Sequence, residues 1–193
     1  MGAYEERLSS FLKQNNSSAE ILTFDTSCHS VKEAADNLKV DPANLIKSIC
    51  MIDSNDSLIV AIVRGNDRAS SKRISKALSL EKLRVATPEE MLEKTGYPCG
   101  GTPPLGYQAT FLIDTKVMEN NVVYGGGGSE FSLVRIQTNE LKKLNNAQII
   151  KISKEYNCKI YFRFFLYVIL IQRNKSTIIR YKLAIINAFT SNK

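Results

Sequence analysis

At 193 residues, 44% of them hydrophobic, the chain is long enough for one domain with a real core, or one domain and an extension. The net charge of +7 is unevenly placed: residues 155–193 hold seven Lys/Arg and one Glu, a net +6, whereas 1–154 hold nineteen Lys/Arg against eighteen Asp/Glu, a net +1, so the total alone does not make the body a nucleic-acid binder. The cysteines Cys28, Cys50, Cys99 and Cys158 show no CxxC or Cys/His spacing suited to zinc, so no metal site is expected, and with no basic-then-apolar segment at the start a reducing, cytoplasmic setting is expected.

Tyr4, Leu8, Phe11 and Leu12 recur at helical spacing and predict an amphipathic helix over 4–15. A short strand follows at 20–24. Ser30-Val31-Lys32-Glu33 is a capping box opening a helix through Leu38, and Asp41-Pro42 starts a further helical turn. The β-rich runs 46–53 and 58–63, separated by the polar Ser54-Asn55-Asp56-Ser57, predict a hairpin. A basic helix over 70–78, a strand over 82–86, and a helix opened by Thr87-Pro88-Glu89-Glu90 and closed by Gly96 come next.

Residues 95–106 then crowd proline and glycine into one loop, which reads either as a shaped wall for a ligand or as a tight surface turn. Strands are predicted at 108–114, 122–124, 131–137 and 147–152, with four glycines at 125–128 and a capped helix at 138–144. Helices and strands interleave without a regular βαβ period, which favours a mixed α/β (α+β) fold, a mixed sheet with helices packed on it. Residues 1–154 form the expected domain. Residues 155–193, with no Gly, Pro or Asp, form a basic and apolar extension whose run 160–171 is too short to span a bilayer.

Lys47 shares a strand face with Ile49 and Met51. If that face is covered, its ammonium needs an anion or polarised carbonyl to offset desolvation; otherwise it guards an edge strand. His29 is the single histidine, and as neighbours in an extended segment Cys28 and His29 point apart, which argues against a Cys/His nucleophile. The glycines at 125–128, Gly126 and Gly127 among them, either present amides to an anion or make a flexible hairpin loop. Asp114 either binds a hydroxyl or amine or caps the following turn. Lys72, Arg73 and Lys76, with Arg64 and Arg68 just before them, either track phosphates or form a solvated helix face.

Taken in order, His29-Ser30-Val31-Lys32-Glu33-Ala34-Ala35, Ile46-Lys47-Ser48, Gly96-Tyr97, Gly100-Gly101-Thr102-Pro103-Pro104 with Gly106, Leu112-Ile113-Asp114 and Val123-Tyr124 with the four glycines resemble the YbaK/ProX family of aminoacyl-tRNA deacylases. That family is similar to the editing domain inserted in bacterial prolyl-tRNA synthetases. The resemblance covers about residues 4–152. It implies a single domain with a mixed, partly barrel-like sheet, no cofactor or metal, and hydrolysis of the ester joining a wrong amino acid to the terminal adenosine of tRNA, with Ala- or Cys-tRNA of the proline type as substrate. It makes Lys47 the residue on which activity depends, anchoring the terminal phosphate or the ester. It maps the family's G-x-x-x-P loop onto Gly100 to Pro104, and adds His29, Gly106, Asp114, Gly126 and Gly127 as substrate contacts. A ribose hydroxyl of the substrate is expected to help position the water. Tyr107 departs from relatives that carry His or Gln after the closing glycine, and residues 155–193 have no counterpart.

The resemblance also implies partners: the acceptor end of aminoacyl-tRNA and prolyl-tRNA synthetase. A second reading keeps the fold without catalysis, as a module that binds tRNA or a synthetase. A third makes residues 155–193 an anchor to a partner or membrane surface.

Overall fold

The computed structural model describes residues 2–154. The extension expected at 155–193 lies outside the described residues. Helix α1 (Ala3–Gln14) buries Leu8 and Leu12, the apolar stripe its spacing predicts, and is followed by strand β1 (Glu20–Thr23). Helix α2 (Val31–Leu38) starts at the predicted capping box, with Ser30 Oγ accepting from Glu33 N–H and the Glu33 carboxylate accepting from Ser30 N–H. A cap of this kind stabilises a helix by about 1 kcal/mol.

A 3₁₀ turn at Pro42–Asn44 leads into β2 (Ile46–Asp53) and β3 (Leu58–Arg64), an antiparallel hairpin in the register Lys47 opposite Val63 and Ile49 opposite Ala61. The short β4 (Arg68–Ala69), α3 (Ser71–Leu78), β5 (Leu83–Val85) and α4 (Pro88–Thr95) follow, the last closed by Gly96 at φ 73°. After the Gly/Pro loop come β6 (Thr110–Ile113), β7 (Val122–Gly126), β8 (Ser132–Gln137), α5 (Thr138–Leu144), β9 (Gln148–Ile149) and β10 (Ser153–Lys154).

Five strands form a mixed sheet in the order β5-β2-β3-β6-β9, antiparallel through β5, β2 and β3 and parallel from β3 to β9. Strand β3 is central, and Leu58 to Val63 are all buried, as a strand covered on both faces requires. One face carries Ile46, Cys50, Ile52, Val60 and Ile62 into a core shared with Leu8, Leu12, Met91, Tyr97 and Leu141. The other face packs Met51, Ile59, Ala61 and Val63 against Ile74 of α3 and Ile152. Each fully buried side chain of this size contributes roughly 1.5–3 kcal/mol. A second, antiparallel sheet in the order β1-β8-β7 meets the first at a parallel bridge between Leu45 and Tyr124. Among the described residues no helix is long and apolar enough to cross a membrane.

Three expectations are corrected. The glycines at 125–128 are not a free loop: Gly125 and Gly126 complete β7. The 138–144 helix lacks the predicted cap, because Thr138 is already its first helical residue and its hydroxyl donates to Asn120 O at 2.8 Å. The strand expected over 147–152 pairs only at Gln148 and Ile149, since the chain then turns to follow the Asp114 carboxylate.

Candidate active site

The start of β2, the approach to α2, the end of β5 and the Gly/Pro loop surround a cavity of about 350 Å³, within the range of small-ligand sites. Each wall follows from local sequence. The capping box fixes α2 so that Cys28, His29 and Ser30 enter the cavity at its N-terminal end, with Val31 and Ala34 beneath them. Alternation along β2 sends Ile46 and Cys50 toward the main core while Lys47 and Ile49 lie on the opposite face, and all four line the cavity with Ser48. Val85, 61% exposed, together with Ala86, Pro88 and Met91, adds an apolar rim where β5 runs into α4.

The opposite rim is built backbone against backbone. Gly128 N–H donates to Gly101 O at 2.9 Å, and Gly127 N–H donates to Ser132 O at 2.9 Å. A Cβ at Gly101 would stand 2.6 Å from Ser129 Cα, and one at Gly126 would stand 2.6 Å from Thr102 O. Only glycine permits that approach. Gly100, at φ 90°, lies against the His29 ring: a Cβ there would come within 2.4 Å of Nδ1. Thr102 Oγ1 donates to Pro98 O at 2.9 Å, which closes the turn.

Of the residues singled out in the sequence, Lys47, His29, Gly100, Thr102 and Gly126 line the cavity together. Gly101, Pro103, Pro104, Gly106 and Gly127 stand behind its wall. Pro103 O accepts from the Tyr107 hydroxyl at 2.9 Å, Pro104 O accepts from Asn145 Nδ2 at 2.7 Å, and Gly106, at φ 94°, sits over Leu8 and Phe11. The four-glycine segment therefore offers no open nest of amides, since those of Gly127 and Gly128 are already engaged.

Asp114, expected among the substrate contacts, stands apart from the cavity. It is fully buried and does not line the cavity; Oδ2 accepts from Ile152 and Ser153 N–H, both at 2.7 Å, and Oδ1 from Lys116 N–H at 3.1 Å. Its carboxylate fastens the end of the described chain to the sheet. The basic cluster also divides. Arg64 pairs with Glu119 at 2.8 Å, Arg73 Nη1 donates to Ser153 O, and Arg68 lies close enough to Lys47 to repel its charge, while Lys72 and Lys76 are exposed on α3.

Burial pushes the half-buried Lys47 ammonium below its ordinary range, Arg68 pushes it the same way, and Asp67 opposes both. Asp67 is itself paired with Lys116 at 3.5 Å, and among the described residues no carboxylate comes within ion-pair distance of Lys47. An ammonium in that state favours an incoming anion or carbonyl oxygen. Burial pushes the Cys50 thiol up to about 12, with Cys99 adding to the rise and Tyr107 opposing it, so Cys50 is a neutral wall and not a nucleophile.

Sequence reasoning missed Ser48 as a site residue in its own right, the three cavity cysteines Cys28, Cys50 and Cys99, and the apolar rim of Val85, Pro88 and Met91. For Ser48 no local signal was available, because strand alternation sets its side chain on the face away from Lys47 and only the fold brings both residues to the cavity. The cysteines come from three distant segments, and nothing in their spacing brings them together.

The sequence model of the aminoacyl-tRNA editing domain matches residues 25–144, which hold every residue of the cavity. The uncharacterized protein YwhH of Bacillus subtilis is 25% identical over 146 residues, 74% of this chain and 92% of that protein. A proline--tRNA ligase of Thermotoga neapolitana is 30% identical over 97 residues, 50% of this chain but only 17% of the ligase, so the chain spans a small part of that relative. The crystal structure of a candidate trans-editing enzyme for prolyl tRNA synthetase superposes with a TM-score of 0.75 at 24% identity, covering 80% of this chain and 99% of that one, and shows the same mixed α/β fold.

Proposed function

The chain belongs to the aminoacyl-tRNA editing domain family, and from that premise we propose that it is a free-standing hydrolase that removes wrong amino acids from tRNA in trans. The substrates are alanyl- or cysteinyl-tRNA of the proline type, and the bond cleaved is the ester to the terminal adenosine. Water adds to the ester carbonyl carbon, the bond from that carbon to the ribose oxygen breaks, and the ribose oxygen keeps a proton from the water. The products are a free amino acid and an uncharged tRNA.

One observation carries this reading: Lys47 and the rim of Gly100, Thr102 and Gly126 line the same cavity, and Lys47 has no carboxylate paired with it there. Lys47 would hold the terminal phosphate or the ester oxygen. The rim would hold the aminoacyl group beside the water, lowering the entropy cost of reaction. Small size and apolar walls, Cys28, Ala34, Leu45, Met91 and Leu133 among them, suit a short side chain. One methylene is worth about 1–3 kcal/mol in such a pocket, so preference among small residues is graded. The exposed Lys72 and Lys76, with Arg68, would follow the acceptor-stem phosphates, prolyl-tRNA synthetase would be the partner that supplies the error, and the setting would be the cytoplasm.

The test is a deacylation panel of alanyl-, cysteinyl- and prolyl-tRNA. Hydrolysis of the first two, spared prolyl-tRNA, and at least about 100-fold loss in Lys47→Ala, equivalent to about 2.7 kcal/mol of transition-state stabilisation, are expected. Salt-sensitive tRNA binding with no turnover of any ester would instead favour the non-catalytic module.

A further inference from the structure

Strand β2 is hydrogen-bonded to β3 along its whole length but covered only in part on its other edge. There β5 pairs with Met51, Ile52 and Asp53, and Ala86 N–H donates to Cys50 O at 3.0 Å. At the other end Leu45 forms its bridge with Tyr124. Among the described residues no strand fills the gap between these two junctions, beside Lys47, Ser48 and Ile49.

In an antiparallel ladder the N–H and C=O of one residue point to the same side, and the side alternates along the strand. Leu45 O accepts from Gly65 N–H and Asp53 N–H donates to Ser57 O, so the odd-numbered residues of β2 face β3. Cys50 faces the other edge, as its bond from Ala86 shows. Ser48 therefore turns both main-chain polar groups into the gap, and it lines the cavity. The Tyr107 hydroxyl, anchored on Pro103 O at 2.9 Å, lies beside the Ser48 and Cys50 side chains, and the Tyr107 ring is braced by Phe111 at 5.5 Å between centroids. A main-chain donor and acceptor fixed side by side in a cavity suit a partner that carries the complementary pair in place of water.

The geometry points to the Ser48 main chain as the group that reads the aminoacyl moiety, which docks opposite it as an antiparallel strand one residue long. The α-amino group donates to Ser48 O, and the ester carbonyl oxygen accepts from Ser48 N–H. An aminoacyl ester carries that donor and acceptor on either side of one Cα, as a peptide residue does. The inference rests on the hydrolase reading above and adds a positioning role to it: Ser48 N–H stays on the carbonyl oxygen as negative charge builds there during attack by water.

A stereochemical consequence follows. Residues opposite one another in an antiparallel pair place their side chains on the same face. The side chain of an L-aminoacyl group falls on the face of Ser48 and Cys50, whereas that of a D-aminoacyl group turns toward Lys47 and Ile49.

Three non-hydrolysable adenosines test this with the full ¹⁵N-labelled chain: 3′-deoxy-3′-(L-alanylamino)adenosine, its D-alanyl counterpart, and the 3′-propionylamino compound, which lacks the α-amino group. Binding of the L-alanyl probe about tenfold or more tighter than either of the others is expected, together with slowed solvent exchange of the Ser48 amide in its complex. Equal affinity for the propionyl probe, unchanged exchange at Ser48, or no binding of the L-alanyl probe overturns the inference. Turnover of alanyl-tRNA without these preferences would leave the hydrolase standing and remove the Ser48 role. Selective protection of Ser48 with no turnover would do the reverse.

Discussion

The turn at Asp114 and the strand at Lys47 each take a charge out of bulk water, and they treat it in opposite ways. Asp114 is enclosed and meets three backbone N–H donors at 2.7–3.1 Å. Lys47 is half-buried at the wall of a cavity, repelled by Arg68 and, among the described residues, attracted by an Asp67 already bound to Lys116. A charge whose partners are all internal holds the fold. A charge left short of partners at the wall of a cavity would, on the proposed function, be met by a group that arrives from outside.

The largest expected effect breaks the first half of the contrast. Asp114→Ala leaves three N–H groups without an acceptor, and hydrogen bonds to a charged group contribute about 1.5–3 kcal/mol each. A loss of at least about 3 kcal/mol in urea unfolding is expected. A loss below about 1 kcal/mol would mean that the carboxylate does not fasten the chain.

Lys47→Met sharpens the second half. The folded state holds the Lys47 proton less tightly than the unfolded chain, whose value is the ordinary 10.5. Stability therefore rises with pH in the window between the depressed folded value and 10.5, and below that window the charged form weakens the fold. The Met variant is expected to match or exceed the wild-type urea midpoint at neutral pH and to lose that rise. A destabilised Met variant would place Lys47 with Asp114 as a structural charge.

The smallest effect lies on the surface, where water is always an alternative partner. Glu90 is held at about 2, chiefly by the two hydrogen bonds from Arg84 at 2.6 and 2.7 Å and then by Thr87 N–H. Its share of stability is present above the ordinary 4.5 and is lost as pH falls toward 2. Arg84→Ala is expected to raise the Glu90 midpoint in a carboxyl ¹³C titration while leaving the unfolding midpoint nearly unchanged.

The sequence was most legible where a local rule decides the outcome. Both capping boxes, Ser30 with Glu33 and Thr87 with Glu90, open helices as read, and alternation put Lys47, Ile49 and Met51 on one covered face. It was least legible where distant backbone decides. Strands β4 and β10 have two residues each and carry no period; they exist because Arg68 and Ala69 meet Lys154 and Ser153 across the molecule. Asp114 at a strand end looks the same in sequence whether it faces a ligand or its own chain, and only the fold of residues 150–153 separates the two. Four glycines in a row suggest freedom, but here they are the condition for close contact, which no local pattern reveals. The site was legible through Lys47 and the Gly/Pro loop; Ser48 was not, because its use depends on a strand edge left open by the length of β5.

That seam of Gly101 against Gly126 and Gly128 has a bearing on redesign. Where two chains touch with no side chain between them, the gap is set by amide geometry, as the jaw of a calliper is set by its frame. On the proposed function, altering Thr102, Met91 or Cys50 would retune which acyl groups fit, whereas the spacing of the mouth itself would change only if Gly101 or Gly126 gained a side chain and forced the two segments apart.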